Sequence, residues 1–319
     1  MNIVERWRRA AAFDWLWALL LSWLIPLGLI WEWNVDYKLS LVLWIIPIAL
    51  LLPRFLSLTH RGSRRRRAVW YTALYVLLIG AVLDLCFGKW VLLFDPNGKY
   101  LPPIGGIPIE EFIFYVTGGL AIVLVYFWAD EYWLAAYNVR QRHPVLPRPG
   151  SIVFLSPQTI ALALVLVTAG VILKRLLKAS GFPLPIYYTF LVLVAFVPAV
   201  VLYRTVKDLV NWRAFSFTAL YVLLTSLLWE TTLAIPQFWW RYNEHGMLGK
   251  YITAWNHRDV ARNVDARFPI EALFVWIAVT FSVVFFYEAA KAFSYDDRPM
   301  RKRLFGPAPW EETEWGVPP

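Results

Sequence analysis

The sequence predicts an all-α integral membrane protein, a bundle of about eight transmembrane helices arranged as two parallel four-helix repeats. Three observations carry that prediction: an apolar composition, apolar runs of membrane-spanning length, and a recurring segment that brings an acidic motif with it. Of the 319 residues, 59% are apolar, 18% aromatic and only 17% charged, and mean hydropathy is +0.52. Soluble domains carry about 25% charged residues, so this composition excludes a soluble globule and a disordered chain. Cys86 is the only cysteine, which excludes an internal disulfide framework. The net charge of +9 is then a topology signal of a membrane chain and not a nucleic-acid footprint.

Crossing the hydrocarbon takes about 20 predominantly apolar residues in a helix. Eight stretches qualify: 14–33, 38–58, 69–88, 107–128, 153–173, 183–203, 213–235 and 269–290. Short runs of alternating polarity, the mark of a β-barrel, are absent. The first stretch follows Arg6, Arg8 and Arg9 like a signal peptide. It is too long, and no small-residue cleavage site follows Trp31-Glu32-Trp33, so it reads as a retained helix. With the N-terminus placed inside, 20 Lys and Arg residues fall on inner segments and 11 on outer ones. Both termini are therefore expected in the cytoplasm of a multi-pass cell-membrane protein. The run Arg64-Arg65-Arg66-Arg67 is the strongest anchor, read as solvated, with anionic-lipid binding as its alternative.

Self-similarity organises the chain. Tyr71-Thr72-Ala73-Leu74-Tyr75-Val76-Leu77-Leu78 recurs as Phe217-Thr218-Ala219-Leu220-Tyr221-Val222-Leu223-Leu224, identical at seven of eight positions and offset by 146. Pro108-Ile109-Glu110 recurs as Pro269-Ile270-Glu271, offset by 161. The expected domains are residues 1–145 and 150–295, joined by the proline-rich Pro144 to Gly150 and followed by a cytoplasmic tail over 296–319. Four spans per half give both halves one orientation, with the pseudo-twofold axis along the membrane normal.

Acids at membrane depth are the next signal. An Asp at a helix centre costs about 2.5–3.5 kcal/mol on insertion scales, so it needs a reason to be there. Asp84 lies 146 positions before Glu230, and Glu110 lies 161 before Glu271, so the repeat doubles an acid pair. With Glu111, these five are expected in the outer third of the bilayer. Carboxyl groups crowded into one weakly polar layer cannot all ionise, and a protonated acid beside a carboxylate makes an acid/base pair. Glu110 and Glu271 are expected to face inward, with Glu111 in support, because adjacent helical residues lie about 100° apart. Other readings stand beside this one. First-turn acids suit the helix dipole, and Asp84 and Glu230 would serve as polar glue between helices. Glu288 reads as an interfacial partner of Lys291.

Most tryptophans near span ends, such as Trp31, Trp33, Trp90, Trp239 and Trp240, read as interface anchors. Phe112, Phe114, Tyr115, Phe274 and Trp276 instead follow the acid motifs directly. They are either ordinary packing or a cation-stabilising wall, since a ring face attracts positive charge. A Brønsted acid beside an aromatic wall is what cyclisation through a carbocation needs. The stretch Gly105-Gly106-Ile107-Pro108-Ile109-Glu110-Glu111-Phe112-Ile113-Phe114-Tyr115 resembles the PxEExxFF-type signature of the membrane lycopene cyclase domain. That family occurs as small heterodimeric subunits in bacteria and as fused forms in archaea and fungi. The tandem chain resembles a fusion of the two subunit types, over residues 38–130 and 184–290. The second motif, Pro269-Ile270-Glu271-Ala272-Leu273-Phe274, lacks the second glutamate. The resemblance implies redox-neutral cyclisation of a linear carotenoid such as lycopene, with Glu110 and Glu271 as proton donor and acceptor, Glu111 assisting, and Asp84 and Glu230 tuning them. It implies no cofactor, a hydrophobic polyene drawn from the bilayer, and association with other carotenoid enzymes.

Other function classes leave weaker traces. No GxGxxG opens a helix after a strand, no Walker A motif appears, and His60, His143, His245 and His257 form no metal-ligand spacing. A carotenoid hydratase would share the protonation step. A prenyltransferase would want closely spaced aspartates, which Asn256, Asp259 and Asp265 do not supply. A proton- or cation-coupled carrier built of parallel repeats would want midplane acids and broken helices.

Overall fold

The computed structural model describes residues 36–44, 62–94, 100–139, 156–260, 263–295 and 299–305. The predicted span 14–33 and most of 38–58 lie outside the described residues, as do the whole linker and most of the tail.

Among the described residues six helices are long and apolar enough to cross a membrane, and the chain is a helical, multi-pass membrane protein. A short α1 (Tyr37–Trp44) precedes α2 (Gly62–Val91), which runs into strand β1 (Leu92–Phe94). Then come α3 (Ile109–Trp128), α4 (Pro157–Leu176), α5 (Ile186–Val206) and α6 (Trp212–Trp229). Strands β2 (Trp240–Tyr242), β3 (His257–Asp259) and β4 (Val264–Ala266) lead to α7 (Ile270–Tyr295) and a short α8 (Met300–Phe305).

Local sequence explains the helix starts. Ser156 caps α4 by accepting from Thr159 N–H at 3.2 Å, with Pro157 in the first turn where its missing N–H is not needed. Asn211 caps α6 by accepting from Ala214 N–H at 3.3 Å. Helix α2 shows how the bundle meets lipid. Leu74, Leu78, Val82 and Leu85 form an exposed apolar stripe at helical spacing. On its inner face Ala68, Val69, Ala73, Val76 and Leu83 are buried. Helix α7 is central, packing on α2, α3, α5 and α6, whereas α4 packs on α5 and leaves Leu164, Val165 and Leu176 largely exposed.

The four short strands modify the all-α expectation. Antiparallel pairing of Leu92 with Tyr242 and Phe94 with Trp240 ties the end of α2 to the chain leaving α6. The loop after β2 approaches the end of α2 so closely that a Cβ on Gly246 would lie 1.9 Å from the Trp90 carbonyl oxygen, so only glycine fits there.

At the opposite end of the bundle two sequence expectations are corrected. Glu288 and Lys291 do pair, as their spacing suggests, but not at an exposed surface. They form an ion pair buried inside the bundle, and Tyr126 donates to Glu288 Oε1 at 3.1 Å. Arg65, in the run expected to be solvated, is also buried and pairs with Glu131 at 3.2 Å. Long side chains on the buried face of α2 have only protein to meet, so charge must be matched there. Asn211 completes this layer by donating to Asp130 Oδ1 at 3.0 Å.

Removing one member of a buried pair strands the other. Lys291→Met is expected to destabilise the protein by about 3–5 kcal/mol, and Glu288→Leu combined with Lys291→Met to recover much of it. Thermal unfolding in detergent micelles measures both.

Candidate active site

The acid motifs converge on the end of the bundle roofed by β1, β2 and the loop after them. A cavity of about 1050 Å³, counting its open mouth, lies among α1, α2, α3, α5, α6 and α7. Its walls are apolar and aromatic, with Phe114, Tyr115, Phe190, Trp229, Trp240 and Trp276 among them. Two carboxyl groups face it, those of Glu111 and Glu230, and no Lys, Arg or His is among the described lining residues.

Each acid is positioned by local structure. Helix α3 starts at Ile109, so Glu110 and Glu111 both sit in its first turn but point in different directions. Glu110 turns back to the preceding loop and accepts from Leu101 N–H at 2.7 Å. Glu111, one residue on, faces the cavity. Its carboxyl interacts with the Tyr37 hydroxyl, although no well-formed hydrogen bond closes between them. Asp84, on the last turns of α2, accepts from the Tyr115 hydroxyl at 3.0 Å and lies close enough to Glu111 to feel its charge. Glu230 stands where α6 passes into a π-helical turn over Glu230–Ala234, a feature often found at functional sites. The Tyr242 hydroxyl donates to Glu230 Oε1 at 3.2 Å. Burial, with Glu230 alongside, holds that hydroxyl well above the usual tyrosine range, so it remains a donor. Glu271 accepts from Leu248 N–H at 2.5 Å, and the buried Lys174 lies near enough to offset its charge.

This geometry redistributes the expected roles. Glu110 and Glu271 are each only 1% exposed, yet neither lines the cavity. Each instead accepts from a loop amide, and the acids that line the cavity are Glu111 and Glu230. The physical reason is the start of the helix: the first acid of each motif is close enough to the loop to satisfy its backbone. In the second motif Ala272 stands where Glu111 stands in the first, and Glu230 supplies the second facing carboxyl from another helix. Among the aromatics, Phe114, Tyr115 and Trp276 line the cavity. Phe112 and Phe274 do not, and Phe274 is 52% exposed on the outer face of α7. Phe274 lies two residues, about 200°, from Trp276 on the same helix, so the two cannot share a face.

Sequence reasoning missed the hydroxyl ring. Tyr37, Tyr187 and Tyr242 all line the cavity with the acids. Trp229 was also missed. It stacks on Phe114 at 5.5 Å and 10°. Its one available signal was its place directly before Glu230 in a span otherwise apolar. Tyr37 and Tyr242 lie beside loops and at strand ends, where no periodicity marks an inward face.

Apolar walls with two facing carboxyls and five tyrosines can hold a hydrophobic chain, deliver a proton to it and shelter positive charge against ring faces. Comparison of the chain with models of known families, with curated proteins and with solved structures gave no match.

The loop contacts yield a test. Glu110→Ala should raise hydrogen exchange at the Leu101 amide, and Glu271→Ala at the Leu248 amide, by about tenfold or more for loss of a charge-assisted bond. Exchange mass spectrometry on the protein in micelles reads it. Unchanged protection at both amides would contradict this role.

Proposed function

We propose that this protein is a carotenoid end-group cyclase that converts lycopene, or a related linear carotenoid, to a cyclic product. The observation that carries the reading is the pairing of Glu111 and Glu230 in one apolar, aromatic cavity with no cation among its described lining residues. The resemblance of residues 105–115 to the membrane lycopene cyclase signature supports it.

The reaction balances without a redox partner. A protonated carboxyl group gives its proton to the terminal alkene of the linear chain. The resulting tertiary cation closes a six-membered ring onto a neighbouring double bond. A carboxylate then takes a proton from the new ring, and a ring double bond forms. The product is an isomer of the substrate, and the carboxyl groups return to their starting protonation once they exchange protons. Glu111 and Glu230 are the donor and acceptor in this scheme. Asp84, through Tyr115, shares the proton load, while Glu110 and Glu271 hold the loops over the reacting end. Phe114, Trp229 and Trp276 stabilise the cation, and exclusion of water keeps it from being captured.

Two four-helix halves of one orientation, eight spans in all with both termini cytoplasmic, form the architecture of this reading. Matched contacts support the repeat. Leu101 to Glu110 and Leu248 to Glu271 are equivalent loop-to-acid bonds. Thr72 to the Ala68 carbonyl and Thr218 to the Ala214 carbonyl, both at 2.8 Å, are equivalent helix bonds offset by 146. The substrate comes from the lipid bilayer, and neighbouring carotenoid enzymes in the cell membrane supply it.

Expression in a lycopene-producing host, with pigments resolved by chromatography, tests the reading. The wild-type chain should yield cyclic carotenoid. Glu111→Gln and Glu230→Gln should each reduce ring formation about 10²–10⁴-fold, the range for loss of general acid or base catalysis. Unconverted lycopene from the wild type would refute the reading, and a hydroxylated acyclic product would make the protein a hydratase instead.

A further inference from the structure

A second cavity has no part in the scheme above. It encloses about 550 Å³, counting its opening, among α3, α6 and α7. We infer that it is the far arm of a single binding channel, which takes the distal part of the same linear chain whose end lies between Glu111 and Glu230. The identity of that chain as a polyene rests on the cyclase reading; its length and apolarity rest on the channel alone.

Continuity is the first argument. The two cavities share Phe114, Gly118, Ile122, Trp229 and Trp276 in their walls. At this junction Phe114 stacks flat on Trp229, and Trp276 meets Phe114 edge-on at 5.7 Å and 88°. Gly118 keeps the passage wide: a Cβ there would find no atom nearer than 4.0 Å. Planar rings and an absent side chain form a slot suited to a flat, conjugated chain.

Correspondence is the second argument. Ten of the eleven residues lining the second cavity lie 146 or 161 positions from a residue lining the first, with Val125 the exception. Along α2 and α6 the pairs include Tyr75 with Tyr221, Ile79 with Thr225, and Leu83 with Trp229. Along α3 and α7, Phe114 corresponds to Val275, Gly118 to Val279, and Trp276 to Tyr115. The repeat-related walls are those of α2 and α7 in the first arm and of α3 and α6 in the second. The same groove is thus built twice, and the two grooves meet at the aromatic junction.

Chemistry separates the arms. Among the described residues no carboxyl group lines the second cavity; its hydroxyl-bearing side chains are Tyr221, Thr225 and Ser226. A chain lying across both arms therefore meets proton donors at one end only. One end reacts in each binding event, and a two-ended product requires the chain to leave and return reversed.

The test is equilibrium binding to the full-length protein in lipid nanodiscs, read by tryptophan-fluorescence quenching. The probes are lycopene and linear polyenes of half its length or less. Ala121→Phe and Thr225→Phe each fill the second arm alone. Either should weaken lycopene binding about tenfold or more, since several buried carbons lose their place, and leave short-chain binding within about twofold. Short-chain binding also reports folding, so if one variant fails to fold the other carries the test. Equal weakening of long and short chains, or no weakening of either, would overturn the inference. Length-dependent binding without ring formation would leave the channel standing and sink the cyclase reading; ring formation with length-independent binding would do the reverse.

Discussion

Carboxyl groups buried in an apolar bundle impose the constraint on which the rest of this structure depends. A carboxylate removed from water must find hydrogen bonds, a cation or a proton. The protein answers differently at each position. Glu110 and Glu271 take loop amides, Asp84 takes the Tyr115 hydroxyl, and Glu230 takes the Tyr242 hydroxyl. The loops, the β1–β2 pairing and the π turn at Glu230 all serve to bring those donors to the acids. Even so, Asp84 Oδ1, Glu111 Oε1 and Glu230 Oε2 find no hydrogen-bond partner among the described residues. A cluster with that much unspent acceptor capacity is a reservoir for shared protons.

The two ends of the bundle solve the same problem in opposite ways. One end pairs its acids with cations, Arg65 with Glu131 and Lys291 with Glu288, and seals them with Tyr126 and Asn211. That arrangement fixes helices against one another and leaves little chemistry. At the other end the only buried cation near the acids among the described residues, Lys174, sits by Glu271 and also donates to the His245 carbonyl at 2.6 Å. No cation stands beside Glu111 and Glu230 among the described residues that line their cavity. Structural acids and chemically available acids are thus told apart by what neutralises them, not by residue type or depth.

Much of the helical plan was legible in the sequence because lipid demands long apolar runs, and the six described spans fall on six of the eight predicted. The acids were legible too, since each is an anomaly in such a run. Their division of labour was not. Glu110 and Glu111 differ by one residue, and which of them faces inward depends on where α3 begins and on the path of the loop that brings Leu101 to it. Glu230 is legible as a supporting acid because it repeats Asp84 at an offset of 146, but the π turn that aims it leaves no trace in apolar periodicity. Phe274 followed an acid motif as closely as Trp276 did, and only the turn of α7 separates the outer ring from the inner one. Tyr37, Tyr187 and Tyr242 reach the cavity from loops and helix ends, where spacing carries no directional information. The buried Glu288–Lys291 pair was misread for a related reason: proximity to a span end suggests water, while four neighbouring helices exclude it.

The central claim is that a carboxyl group in a water-poor cavity protonates an alkene and that a second removes a different proton from the closed ring. Running the conversion in deuterium oxide and analysing the product by mass spectrometry and nuclear magnetic resonance tests this most directly. The account predicts one deuterium for each ring formed, on the carbon that received the acid's proton, and no oxygen from solvent. A ring without deuterium, or a product carrying a solvent-derived hydroxyl, would contradict it.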